Sequence, residues 1–436
     1  MKIKRITINN FKGIEHIELD FDSGFNVIYG INGTGKSSVL DAISIGIGSI
    51  LSTTGASFGL KGLKSRPLMK NEIRRVMVSD NNIELFDVTL AGIFKDENDI
   101  FEDENGIEWS RTQTINSKQL NTINAKKLTE EGKKITQRLK EDSSIPLFVN
   151  FSTARVWSQI YEKERTKKEL KYEKTGSRLD GYYACLDPRS IEQKFLNWFK
   201  TYEDSILKFN KDKSLYVAFV NAITTMVPSW KDIKFNWALD DLVGKNDKDE
   251  WMTMGNLSDG YRGIASLAAD IAYRAIKLNP HLGERAVLDT TGIVLIDELD
   301  MHLHPKWQKH VVNDLRKTFP NIQFIVTSHS PFILQSMKKN EVIHLDGDLI
   351  TKDPIIMSIE EIAEDMDVEN VRRSQLFIDY QKVAAEYFNA LRQGENFIDS
   401  QQKAILKSKL DSYEQEFSDN PVYVALMKAE RESQSL

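Results

Sequence analysis

The sequence predicts an α/β protein: a mixed sheet around a phosphate-binding loop, an antiparallel β subdomain, a short helical insertion and a helical C-terminal region. Three observations predict it. The short apolar run Phe25–Tyr29 leads straight into Gly30-Ile31-Asn32-Gly33-Thr34-Gly35-Lys36-Ser37, which fits G-x-x-x-x-G-K-[ST] at every fixed position. Two more apolar runs, Gly292–Ile296 and Gln323–Val326, each end in polar residues, and a helical segment from Trp307 to Phe319 lies between them. Continuous apolar strands alternating with helices imply a buried parallel sheet.

The elements follow in order. Lys2 to Phe11 alternates apolar and polar positions as a half-buried strand should, Phe11-Lys12-Gly13 reads as a turn, and Ile14 to Phe21 alternates again. A helix beginning near Lys36 carries Val39, Leu40, Ile43 and Ile45 inward, so strand, Gly-rich loop and helix succeed one another as a phosphate loop requires. Between about Asn82 and Ile115, short alternating runs separated by turn-formers such as Glu104-Asn105-Gly106 predict antiparallel hairpins. The stretch from Ser117 to Asp142 is polar and rich in helix formers, a short arm too brief for a long coiled coil. Pro146 to Phe151 is another apolar strand. Ser190 to Phe209 is an amphipathic helix whose Phe195, Trp198, Phe199 and Tyr202 share a core face. After Asp346-Gly347-Asp348, a turn, the chain reads as helical and strongly charged.

Composition limits the function classes. With 436 residues, 41% of them hydrophobic and 28% charged, the chain can bury a large core as an ordinary globular protein. No apolar run reaches bilayer length, and the longest, Ile43 to Leu51, follows the phosphate loop directly. Met1 to Ile6 carries no export signal. One cysteine, Cys185, excludes an internal disulfide and a cysteine metal cluster. These features predict a cytoplasmic protein with no membrane partner. A net charge of −6 argues against a uniformly basic surface but leaves room for a local patch, Lys61, Lys64, Arg66, Lys70, Arg74 and Arg75, opposed by Glu72 alone. Those residues read either as a solvated loop and helix face or as contacts to nucleic-acid phosphates.

Each motif has a chemical requirement behind it. The loop's backbone N–H groups and the positive end of the following helix surround phosphates, and Gly30, Gly33 and Gly35 allow close approach. Asn32, Gly33, Thr34, Gly35, Lys36, Ser37 and Ser38 are the expected ATP-binding residues. Lys36 places its charge on the β- and γ-phosphates, and the Ser37 hydroxyl is expected to ligate Mg2+. Asp297 ends an aliphatic strand, where its carboxylate would hold Mg2+ and its water. Glu298 stands next to it as the general base for an attacking water. His329, ending the next strand in Thr327-Ser328-His329, is placed to sense the γ-phosphate. Leu257-Ser258-Asp259-Gly260-Tyr261 opens a helix running to Leu278, a second anion site beside the first. One subunit has no need of two, so Ser258 and Gly260 imply a second copy of the chain whose nucleotide they cap. An ordinary Ser N-cap is the plainer alternative.

These motifs resemble those of ABC-type ATPases of the class that includes RecF, SMC and Rad50 proteins. More narrowly, Met1–Ser38, Ser177-Arg178-Leu179-Asp180-Gly181-Tyr182, Asn256–Asn279 and Gly292–Ser336 are similar to stand-alone antiphage defence ATPases such as the PtuA subunit of Septu systems. The last stretch includes Asp297-Glu298-Leu299-Asp300-Met301-His302-Leu303-His304-Pro305. The resemblance implies an ABC-type head divided as residues 1–116 (phosphate loop and β subdomain), 117–250 (helical insertion), 251–350 (signature, Walker B and switch His) and 351–436 (helical region for oligomer or partner contacts). It implies that Asp300 is a D-loop aspartate communicating across a homodimer, or a higher oligomer, with composite ATP sites. It further implies a nucleotide-driven subunit regulating a separate, HNH-type effector nuclease. The alternative is a RecF/SMC-like repair or chromosome-maintenance ATPase that binds DNA directly. Asp259 and Tyr261 depart from the Gly and Gln usual in transporters, and no Q-loop glutamine is assigned. His302 and His304 read as structural. Asp346-Gly347-Asp348 and Asp365-Met366-Asp367 are the available D-x-D strings, and the tail lacks alternating buried strands, so no intrinsic nuclease is expected.

Overall fold

The computed structural model describes residues 1–57, 68–79, 82–85, 87–95, 106–113, 126–153, 177–187, 192–345, 352–366, 368, 374–392, 400–416, 425 and 429. They divide into two units, Met1–Ile362 and Ala363–Leu436. Lys61, Lys64 and Arg66 and Asp346-Gly347-Asp348 lie outside the described residues.

In the first unit, β1 (Lys2–Phe11) and β2 (Ile14–Asp20) form an antiparallel hairpin in which Ile6 faces Leu19 and Ile8 faces Ile17. Ile3 and Ile6 stand three apart, yet both are buried. A register shift between Ile3 and Arg5 accounts for it, because one extra residue returns the alternation to the same face. Next come β3 (Phe25–Tyr29) and α1 (Lys36–Ser57), then the two-stranded β4 (Arg75–Ser79) and β5 (Asn82–Leu85). The strands β6 (Val88–Lys95) and β7 (Ile107–Gln113) join the first hairpin in an antiparallel sheet ordered β2-β1-β6-β7. The helix α2 (Lys126–Lys140) lies on α1. A side chain at Gly132 would stand 2.5 Å from the Ile50 carbonyl oxygen, so the close packing of the two helices needs glycine there. The apolar run Ile43–Leu51 is thus accounted for: it lies in the buried part of α1.

The strand β8 (Leu147–Phe151) follows, then α3 (Glu192–Phe209) and α4 (Ser214–Met226), and the antiparallel β9 (Asp232–Asn236), β10 (Asp241–Lys245) and β11 (Trp251–Thr253). Residues 117–250 therefore hold strands as well as helices. In α3, Phe195, Phe199 and Tyr202 are buried, and Trp198 packs edge-on against Phe219 of α4. The chain continues through α5 (Asp259–Leu278), β12 (Gly292–Ile296), α6 (Pro305–Thr318), β13 (Ile322–Thr327) and β14 (Val342–His344).

The parallel sheet has the order β14-β3-β13-β12-β8. Every residue of β3, β8, β12 and β13 is buried, as expected for strands covered on both faces. Each fully buried aliphatic side chain there contributes about 1.5–3 kcal/mol. Gln323 of β13, fully buried, ties this sheet to the antiparallel one. Its Oε1 accepts the Ile3 N–H at 2.8 Å, while its Nε2 donates to the Ile3 and Asp22 carbonyls. The order places the ends of β3, β13 and β12 side by side, and those ends carry the site.

The second unit contains α7 (Gln375–Arg392) and α8 (Ser400–Glu416), which share a small core of Phe377, Tyr380, Ala384 and Leu410.

Candidate active site

The loop after β3 reaches the left-handed region at Gly33 (φ 95°) and Gly35 (φ 102°), where a side chain would be strained. That backbone turns the loop over the first turn of α1. Lys36 is 7% exposed, and its Nζ donates to the carbonyls of Gly30 and Ile31, each at 2.8 Å. These two bonds hold the ammonium against the loop's own carbonyls. The Thr34 hydroxyl is buried and makes no hydrogen bond. Asn32 and Gly33 are exposed on the outer side of the loop, and Ser38 is half-buried behind Ser37.

Ser37 and Asp297 meet across the sheet. The Ser37 Oγ lies 3.0 and 2.8 Å from the two Asp297 carboxylate oxygens, although 260 residues separate them in the chain. The Asp297 N–H donates to the Phe151 carbonyl at the end of β8, fixing the residue just past β12. Thr327, ending β13, completes the arrangement: its hydroxyl donates to Asp297 Oδ1 at 2.7 Å and accepts the Glu298 N–H at 2.7 Å. One hydroxyl therefore orients both acids. The sequence reading missed it. The available signal was a polar residue at the end of an otherwise apolar strand, one position past Val326, which pairs with Ile296.

Glu298 has φ 49° and His302 φ 61°, so two non-glycine residues in the left-handed region bracket Asp300. The tight loop they form carries the Met301 N–H to the Glu298 carbonyl and the Leu303 N–H to the Asp300 carbonyl. Asp300 Oδ1 accepts the His329 N–H at 3.3 Å, so the D-loop candidate and the switch-histidine candidate are joined within one chain. The His304 ring accepts the Lys306 N–H and caps α6. Gln308 donates to the Leu303 carbonyl and accepts from the Ser330 hydroxyl, bracing the loops after β12 and β13 against each other.

The signature segment approaches the same loop. A side chain at Gly260 would stand 2.5 Å from the His302 carbonyl oxygen, so the start of α5 can seat there only with glycine. Ser258 has N-cap backbone geometry, yet its hydroxyl makes no capping bond. Ser258 and Asp259 are exposed, and Tyr261 packs edge-on against Trp307, with ring centroids 4.3 Å apart. The structure brings together Lys36, Ser37, Asp297 and Glu298 as one group and joins Asp300 to His329. It seats Gly260 against the His302 carbonyl of the Asp300 loop.

Among the described residues, no three His, Cys, Asp or Glu side chains converge to hold a metal ion. The Ser37–Asp297 pair fits Mg2+, which takes one or two protein oxygens and leaves its other positions to phosphate and water. The orphaned Thr34 hydroxyl and the carbonyl-held Lys36 fit a phosphate group in the loop. Of the proposed basic patch, Arg74 pairs with Glu15 at 2.9 Å. Lys12, in the turn after β1, pairs with Asp41 of α1 and lies 3.6 Å from Glu72.

Residues 2–352 match the family model described as RecF/RecN/SMC N terminal domain. The chain is 28% identical to the Retron Ec83 probable ATPase of Escherichia coli, covering 78% of this chain and 71% of that protein. It is 25% identical to the Retron Vc95 probable ATPase of Vibrio cholerae, covering 78% and 73%. Against the Septu protein PtuA of Bacillus thuringiensis it is 25% identical over 86% of this chain and 87% of the other. With the Gly30–Ser37 loop and Asp297 meeting at the strand ends of one parallel sheet, this chain belongs to the RecF/RecN/SMC N terminal domain family as an ABC-type ATPase related to antiphage defence ATPases.

Proposed function

We propose that the protein is the nucleotide-driven regulatory subunit of an antiphage defence complex: it hydrolyses ATP to ADP and phosphate and controls a separate effector nuclease. The observation that carries the reading is the contrast between its two anion sites. The loop at Gly30–Ser37 is joined to Asp297 through Ser37, whereas the signature helix presents an uncapped, exposed N-terminus at Ser258. A homodimer, or a larger assembly of such dimers, gives that N-terminus a phosphate to meet.

In each site, Lys36 exchanges its two carbonyl partners for phosphate oxygens, and the backbone N–H groups of Gly33 to Ser38 surround the phosphates. Mg2+, bound with ATP, neutralises the charge that develops on the β- and γ-phosphates. Ser37 and Asp297 hold the metal side of the site. Glu298 takes a proton from the attacking water, its carboxylate held in place through the Thr327 bond to its backbone. His329 reads the γ-phosphate, and its backbone bond to Asp300 transmits the reading to the surface that Ser258 and Gly260 share with the partner copy. The effector is proposed to be an HNH-type nuclease encoded separately, on the likeness of this chain to antiphage defence ATPases. The proposed setting is the cytoplasm.

The test is the oligomeric state of Glu298→Gln protein with ATP and Mg2+, by light scattering on a sizing column. A dimer that dissociates when the nucleotide is removed is expected, and a monomer overturns the two-copy site. Co-expression with a candidate HNH-type nuclease tests the rest: an effector that neither co-purifies nor responds to nucleotide would remove the regulatory role.

A further inference from the structure

We infer that the turn Ser177–Tyr182 is a clamp that positions the ATPase signature from the opposite end of its helix, with Arg178, Asn279 and Arg274 as positioning residues for the composite site. This rests on the two-copy reading above. The observations are concentrated on the C-terminal end of α5. Arg178 donates through Nε to the carbonyl of Leu278, the last helical residue, and through Nη2 to the carbonyl of Ser143. A cation at that position also suits the negative end of the helix. Asn279, the C-cap, is fully buried and bridges Ile145 both ways: Oδ1 accepts its N–H at 2.9 Å and Nδ2 donates to its carbonyl at 3.0 Å. The same Nδ2 donates to Thr290, two residues before β12.

One turn earlier, Arg274 pairs with Asp270 at 2.8 Å, both side chains 1% exposed, and donates to the carbonyls of Gly181 and Tyr183. The Tyr182 hydroxyl donates to the Pro146 carbonyl. A side chain at Gly181 would meet Leu278 Cγ at 2.5 Å, so the turn sits directly on the helix end.

A buried ion pair is weak evidence for stability, and apolar side chains would hold a helix here as firmly. Apolar contacts, however, tolerate small slides and rotations, whereas directional bonds to fixed carbonyls do not. The clamp therefore sets the axial position and rotation of α5. Through Ile145 and Pro146 it refers that position to β8, whose neighbour β12 leads into Asp297. The 20 residues of α5 span about 30 Å. At the far end its start rests on the His302 carbonyl through Gly260. Pinned at both ends, the helix carries any displacement at Leu278 to Ser258 and Gly260. The clamp accordingly fixes where the signature meets the partner's nucleotide without touching a nucleotide itself.

The experiment compares full-length protein with Arg178→Lys, which keeps the charge but loses the forked guanidinium, and with Gly181→Ala, which displaces the helix end instead of loosening it. Two readouts are taken: hydrogen exchange at residues 258–263 without nucleotide, and ATP-dependent dimerisation in the Glu298→Gln background. A fluorescent ATP analogue reports loop affinity in the monomer. Faster exchange at 258–263, at least tenfold weaker dimerisation and loop affinity within about twofold are expected. Exchange that rises only around residues 275–279, or dimerisation unchanged beside the parent, overturns the clamp. If the Glu298→Gln parent itself stays monomeric, the two-copy reading falls, and the exchange at 258–263 alone decides the clamp.

Discussion

The two helix N-termini proposed to face anions in this protein differ in how far their own chain completes them. At α1 the loop is folded back by two left-handed glycines, Lys36 is buried among carbonyls, and Ser37 reaches Asp297 across the sheet. At α5 the N-terminal residue Ser258 is exposed, its hydroxyl makes no capping bond, and the His302 carbonyl dictates glycine at Gly260. Two helix termini with the same electrostatic preference thus have different fates. One is organised by the residues around it, and the other is held rigidly in position with its polar end outward. The positional precision of α5 resides at its far end, in Arg178, Arg274 and Asn279.

That contrast can be broken most severely at α1. Lys36→Ala removes the one mobile charge of the loop, and equilibrium binding should show nucleotide affinity falling by at least about 100-fold. Glu298→Gln should keep nucleotide affinity within a few fold while phosphate release slows by about 100- to 10,000-fold. Turnover near the parent rate would mean the base is another residue. At α5, Gly260→Ala pushes the helix off the His302 carbonyl. Turnover should fall about tenfold or more with monomer affinity unchanged, a 1 Å displacement being enough for such a loss. A parallel loss of affinity would show that the two termini are not separable.

Thr327→Val sharpens the comparison from within the completed site. It removes the hydroxyl that accepts the Glu298 N–H and donates to Asp297 Oδ1, a cost of about 1–3 kcal/mol. That corresponds to roughly tenfold or more in kcat, with nucleotide affinity retained. The smallest effect is on Cys185. Burial pushes its thiol up to about 12, so iodoacetamide at pH 8 should leave it unlabelled in the folded protein and modify it on denaturation. The same labelling verifies that each variant above is folded, since Cys185 lies just past the turn that clamps α5.

Much of the site was legible because its chemistry is written in contiguous strings. Gly30–Ser37 had to follow a strand and open a helix, and it does, with β3 and α1 on either side. Asp297 and Glu298 were legible as acids ending an aliphatic strand. Local order concealed the partners of these residues. Thr327 matters because β13 lies between β3 and β12, a neighbour relation that strand periodicity does not encode. Arg178 was visible only as part of a recurrent string; its work depends on Leu278 and Ser143, 100 and 35 residues away. Strands β9 and β10 fell within a segment read as helical because each is five residues long, too short for alternation to outweigh the helices around them.

The sequence by itself predicted a nucleotide-binding chain, the residues expected to face the phosphates and the acids expected beside them. Those properties depend on side-chain chemistry and on backbone freedom within a few consecutive residues. The tertiary structure alone decided that one threonine orients both acids, that Asp300 is joined to His329, and that the signature helix is anchored at the end remote from its motif. Hydrogen bonds act over about 3 Å, and only the folded sheet brings residues 30 to 300 positions apart within that range.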